Sequence, residues 1–97
     1  MKKLIVANWK MNPQTAEDAR RLFISVEHRM HLLTDAVAVV VCPPYVFLPL
    51  LSHHAHQIKL GAQNLSAHEY GAYTGETSAK QLTPWNVTYA ILGHSER

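Results

Sequence analysis

Val37-Ala38-Val39-Val40-Val41-Cys42-Pro43-Pro44 is the stretch that decides how the rest of the chain is read. Its first six residues carry no charge, and four of them are β-branched valines. A short, continuous apolar run is the pattern of a strand buried on both faces, as in a parallel sheet, rather than of a strand with one wet face. Pro43-Pro44 ends it, because proline has no N–H to give to a sheet ladder. A parallel neighbour cannot be reached by a tight turn and needs a crossover segment. The flanking sequence supplies one on each side.

Upstream, Leu4-Ile5-Val6-Ala7 is a second short apolar run bounded by polar residues. Between the two runs, Ala16, Ala19, Leu22, Phe23, Val26, Met30 and Leu33 recur at helical spacing. Glu17, Arg20, Arg21, Glu27 and Arg29 take the polar side, which predicts an amphipathic helix. Thr15 followed by Asp18, with Pro13 just before, marks its start. Downstream, Tyr45 to His56 reads as a second helix with Val46, Leu50 and His53 or His54 on adjoining turns. Ile58 to Ala62 is a third strand, and a polar, glycine-bearing segment runs from Gln63 to Thr77. Ser78 to Leu82 makes a short helix broken by Pro84, and Tyr89 to Leu92 a fourth strand left at Gly93. Strands alternating with helices predict an α/β fold of parallel strands with helical crossovers.

Bulk properties exclude several classes. Ninety-seven residues suffice for one small domain with a modest core. The hydrophobic share of 47% and charged share of 16% are those of a globular chain. A net charge of +2, with basic residues scattered from Lys2 to Arg97, lacks the clustered footprint of a nucleic-acid binder. The single cysteine, Cys42, can form no internal disulfide, which suits a reducing compartment. Met1 to Ala7 begins like a signal peptide, but Asn8 and Lys10 end the apolar run short of the roughly 7–15 residues export needs. No stretch approaches the roughly 20 apolar residues of a membrane span. The expectation is a soluble, cytoplasmic protein without membrane or nucleic-acid partners.

Side chains along a strand alternate between faces. If the first strand runs on through Trp9, then Asn8 and Lys10 share a face and Trp9 takes the other. Parallel folds bind ligands at the carboxyl ends of their strands, where a lysine suits a phosphate or a developing oxyanion. A strand end meeting water explains the same residues. His94 lies just past the fourth strand, with Ser95 and Glu96 able to open a helix. A helix amino terminus disfavours imidazolium, and a neutral imidazole can donate to a carbonyl oxygen. Taken alone, it reads better as a capping or core histidine. His53-His54-x-His56 has ligand residue types but not a converging geometry, so no metal site is expected. Cys42 reads as a small core residue, and Gly61, Gly71, Gly75 and Gly93 match no nucleotide-binding spacing.

Five motifs occur together and in order: Asn8-Trp9-Lys10-Met11-Asn12, Cys42-Pro43-Pro44, Gln63-Asn64, Gly71-Ala72-Tyr73-Thr74-Gly75-Glu76 and Leu92-Gly93-His94-Ser95-Glu96-Arg97. As a set they resemble the triosephosphate isomerase family over the whole chain. One departure is Thr83-Pro84-Trp85-Asn86-Val87, where that family would carry an acidic residue and often a glycine. The resemblance implies that residues 1–97 are the N-terminal part of a single TIM (β/α)8-barrel domain, its first four or so β/α units. It implies an aldose–ketose isomerase that interconverts dihydroxyacetone phosphate and glyceraldehyde 3-phosphate through an enediolate, with no cofactor, in glycolysis and gluconeogenesis. Asn8 and Lys10 would bind the triose phosphate, and Lys10 with catalytic His94 would meet the developing charge. Ser95 and Glu96 would support the site. The family is homodimeric, and Thr74, Glu76 and Arg97 would lie at the dimer interface.

The same resemblance sets an expectation about what the chain lacks. A barrel of this type has eight strands and about 250 residues. The family's glutamate base follows the sixth strand, and Glu69, Glu76 and Glu96 do not match it. The 97 residues alone are therefore expected to be inactive and poorly stable, with Ile5, Val39, Val41 and Ile91 exposed on an uncovered sheet. The alternative is a self-associating half-barrel with a binding or structural role.

Overall fold

A computed structural model describes residues 2–97. Strand β1 (Lys3–Asn8) pairs in parallel with β2 (Val37–Cys42) along its whole length, from Lys3 opposite Val37 to Asn8 opposite Cys42. Strand β3 (Lys59–Ala62) pairs in parallel with β2, and β4 (Val87–Ala90) with β3. The spatial order is β1-β2-β3-β4, identical to the order in sequence. A doubly wound sheet would reverse direction at a switch point. An order that never reverses, with right-handed crossovers, returns every helix to the same face.

The core bears this out. Ala19 and Phe23 of helix α1 (Ala16–His28), Leu48 and Leu51 of α2 (Leu48–Ser52), and Leu82 of α3 (Ala79–Leu82) pack in one cluster with Val39, Val41, Leu60 and Ala62. Those sheet residues are alternate positions of β2 and β3. Val40 and Cys42 are also fully buried but project from the opposite face. There they meet Gly61: a Cβ on it would stand 2.6 Å from Cys42 Sγ, 3.1 Å from Val40 Cγ1 and 3.3 Å from Tyr89 Cβ. The β3–β4 register breaks at this point, since Leu60 faces Val87 but Gly61 faces Tyr89. The bulge carries the bend that starts to roll the sheet.

Several expectations are corrected. Burial on both faces holds for β2 but not for β1, an edge strand on which Leu4, Ile5 and Val6 are each about half exposed. Val39 and Val41, expected to lie exposed, are covered by the helices, and Ile91 is only partly exposed. The second helix is not continuous from Tyr45 to His56. A 3-10 turn over Tyr45–Phe47 leads into the five-residue α2, with Pro49 tolerated in its first turn. Phe47, Leu48 and Leu51 make its buried side, while Val46 is exposed. After α3, residues Thr83–Trp85 continue as a 3-10 turn, and Asn86 in left-handed conformation (φ 57°) redirects the chain. Strand β4 consequently begins at Val87, two residues before the apolar run suggested.

Helix α1 starts where expected, with Thr15 Oγ1 accepting the Asp18 N–H at 3.1 Å. The expected polar side does not hold at one place. Glu27 is buried, and its Oε1 accepts the backbone N–H groups of His56 (2.6 Å), Gln57 (2.9 Å) and Ile58 (3.2 Å). The carboxylate thus satisfies the turn that leads into β3. Its Oε2 has no partner among the described residues.

Replacing Glu27 with alanine strands these three donors, at a cost of about 3 kcal/mol. Hydrogen exchange should quicken roughly a hundredfold at the amides of residues 56–58. Glu27→Gln keeps an acceptor and should retain most of the protection; unchanged exchange in the alanine variant would remove the clamp from the account. At the bulge, Gly61→Ala should cost about 1–3 kcal/mol by overpacking. Adding Cys42→Ala removes the closest atom and should restore much of the loss in thermal midpoint.

Candidate functional site

The carboxyl ends of the four strands open onto a cavity of about 550 Å³. Asn8, Lys10, Gln63, His94, Glu96 and Arg97 are among the residues lining it. Strand β1 ends at Asn8, and the Trp9 N–H still donates to Cys42 O at 3.0 Å. The Trp9 ring turns to the helix side and meets Phe23 edge-to-face, with centroids 6.4 Å apart and planes at 68°. Asn8 and Lys10 share the cavity side, as alternation suggested. The reason differs for Lys10, which is not in a strand at all. Its φ of 58° lies in the left-handed region, where a non-glycine residue is strained by about 1–2 kcal/mol. Its N–H donates to Asn8 Oδ1 at 2.9 Å, and its carbonyl accepts from Gln63 Nε2 at 2.7 Å.

Gly93, also left-handed at φ 65°, turns the chain after β4 and presents His94, which is partly buried. The Glu96 N–H donates to His94 Nδ1 at 3.0 Å, so Nδ1 is an acceptor and the ring proton resides on Nε2. Glu96 Oε1 lies 3.5 Å from the same nitrogen. An ion pair there would need a proton on Nδ1, which the shorter backbone contact forbids. Only Nε2–H is left to donate to a ligand. The Arg97 N–H closes a single turn onto His94 O at 3.0 Å, and Ser95 is exposed within it.

Lys10 Nζ and Glu96 Oε2 stand 3.1 Å apart, with both side chains more than half exposed. Such a pair contributes about 0–1 kcal/mol, so an incoming anion can draw the ammonium away. Lys10 and Arg97 against Glu96 leave the lining positive. Cys42 lies beneath the site. Burial pushes its thiol up to about 11, so at neutral pH it carries no nucleophilic thiolate. The Tyr45 hydroxyl donates to Asn64 O, and burial, then the Glu76 carboxylate, lift it above the ordinary tyrosine range against opposing effects of Arg97 and that hydrogen bond.

Thr74 and Glu76 lie on an exposed loop that Ser66 N–H closes onto Thr77 O at 2.9 Å. Within it the His68 and Tyr73 rings stack at 3.8 Å. Glu76 and Arg97 both act on Tyr45 but form no ion pair with each other among the described residues. No three His, Cys, Asp or Glu side chains of the described residues converge to hold a metal ion. No helix of the described residues is long and apolar enough to cross a membrane. Gln63 and Tyr45 hold positions in the site that their residue types alone do not announce. The available signals were that Gln63-Asn64 directly follows an apolar strand and belongs to the ordered set of motifs.

The family model described as "Triosephosphate isomerase" matches residues 3–97. The curated triosephosphate isomerase of Clostridium botulinum (strain Loch Maree / Type A3) is 47% identical over 97 residues, which take in 97% of this chain and 38% of the relative. That of Shewanella loihica is 39% identical over 103 residues, again 97% of this chain and 38% of the relative. That of Wolbachia sp. subsp. Brugia malayi is 41% identical over 99 residues, with 100% of this chain and 40% of the relative covered. The chain therefore spans about two-fifths of the length of these relatives. Its four consecutive parallel strands, with helices on one face, are half of a TIM barrel, and the chain belongs to the triosephosphate isomerase family.

Proposed function

We propose that the cavity is the amino-terminal share of a triose phosphate isomerising site, working on dihydroxyacetone phosphate and glyceraldehyde 3-phosphate through an enediolate. The observation that carries this reading is the His94 imidazole. With Nδ1 occupied by the Glu96 N–H, it can only offer Nε2–H, a neutral donor for a substrate oxygen that gains charge as a proton leaves carbon. Lys10 serves the phosphate and the enediolate with positive charge, Glu96 holds the ammonium while the site is empty, and Asn8 binds substrate beside it. Thr74, Glu76 and Arg97 belong to a homodimer interface in this reading, and the enzyme works in the cytoplasm with no cofactor. The carbon proton needs a base within about 3 Å. Glu96 pairs with Lys10 in the empty site and does not match the family's base, and neither Glu69 nor Glu76 lines the cavity, so in this reading the 97 residues by themselves do not complete the reaction.

A second reading is favoured by the unpaired edges of β1 and β4 and the half-exposed Leu4, Ile5 and Val6: a self-associating half-barrel. Size-exclusion chromatography with light scattering distinguishes it by a discrete oligomer.

The 97-residue polypeptide should show no isomerisation and no solvent exchange of the dihydroxyacetone phosphate C-H protons above background; measured exchange would sink the division of labour proposed. A chimera joining this chain to the remaining length of the Clostridium botulinum relative should be active. In it, His94→Gln should lower kcat by about 10²–10⁴. Lys10→Met should lower kcat/KM by a factor on the order of 10² or more. A chimera indifferent to both changes would overturn the assignment.

A further inference from the structure

Lys10 lies beyond the β1 ladder and in a left-handed conformation, so strand pairing cannot hold it. Its carbonyl is instead held by Gln63, at the far side of β2. The same Nε2 donates at 2.7 Å to Lys10 O and at 2.9 Å to Cys42 O. Both targets are carbonyl oxygens, so the amide nitrogen, not its oxygen, must face them. Cys42 O also takes the Trp9 N–H, which fills its second lone pair. One amide thus ties together the carboxyl ends of three adjacent strands: β1 through Lys10, β2 through Cys42, and β3, which Gln63 directly follows. The anchor is fixed from behind, because the Tyr45 hydroxyl holds the carbonyl of Asn64.

We propose that Gln63 is a positioning residue that acts through Lys10, a step that rests on the triose phosphate reading above. The direction of a Cα–Cβ bond follows from backbone φ. Relaxing Lys10 to negative φ would swing its long side chain away from the cavity it shares with His94. Both donor hydrogens of Gln63 are committed to backbone, so its influence on an anion in the cavity passes through the ammonium of Lys10. Nothing in strand pairing would replace it.

The test is a double-mutant cycle in the active chimera. Gln63→Met keeps the length of the side chain and removes both donors. It should lower kcat/KM about tenfold, mainly through a higher KM, with the circular dichroism spectrum unchanged. In a Lys10→Met background the same substitution should change kcat/KM less than twofold, because the group it positions is gone. An equal loss in both backgrounds, or none in the parent, would overturn the proposal. If Lys10→Met itself leaves kcat/KM intact, the triose phosphate reading fails first, so the two failures are told apart.

Discussion

Parallel pairing, with every crossover returned to the same face, is the constraint on which the rest of the molecule depends. A parallel strand must be entered from the same end as its neighbour, so each link has to carry the chain back along the sheet. Here α1, α2 and α3 with their flanking turns do this without the strand order ever reversing. The helices share one face and bury Phe23, Leu48 and Leu51 against alternate residues of β2 and β3. The other face is left to residues that look inward, with Gly61 making room for Cys42, Val40 and Tyr89. All four carboxyl ends then emerge side by side, which is why residues as distant in sequence as Asn8 and His94 line one cavity.

Strand β3 shows how little of this is done by ladder hydrogen bonds alone. It has four residues, too few to fix its own register firmly. Two long polar side chains pin it from outside. At its entrance, Glu27 of α1 takes the N–H groups of residues 56–58, coupling the helix layer to the sheet. At its exit, Gln63 gives its amide to the carbonyls of Lys10 and Cys42. Each bonds backbone groups at or beyond the ends of the strand ladders, and groups of that kind are costly when left unsatisfied. One side chain stabilises the fold, and the other carries the same principle into the site.

Much of the fold was legible because its signals were local. The valine run of β2, the Thr15 cap and the spacing of Ala19 and Phe23 each state their structure within a few residues. The short helix read from Ser78 to Leu82 is held in the structure by Ser78 and Gln81, whose side chains bond reciprocally to each other's backbone. The errors came where a distant partner decides. Glu27 reads as a surface acid until the turn of residues 56–58 is brought against it. The offset of β4 follows from the left-handed Asn86, and the exposure of β1 from its place at the edge. In the site, Asn8, Lys10 and His94 stood out through a set of ordered motifs, whereas each alone was an ordinary polar residue. Gln63 belonged to the same motif set, but its role was not legible, since its partners are carbonyls and carry no side-chain identity.

The chemistry of the cavity turns on where a single proton resides. A left-handed glycine presents His94, the following turn directs the Glu96 N–H at its Nδ1, and Lys10 and Arg97 leave the surroundings positive. A ring held this way is a donor through Nε2 and an acceptor only toward its own backbone. Nitrogen-15 NMR of the His94 imidazole measures this directly. The proton should be found on Nε2, with Nδ1 showing the shift of a hydrogen-bonded acceptor; a proton on Nδ1 would contradict the site as described.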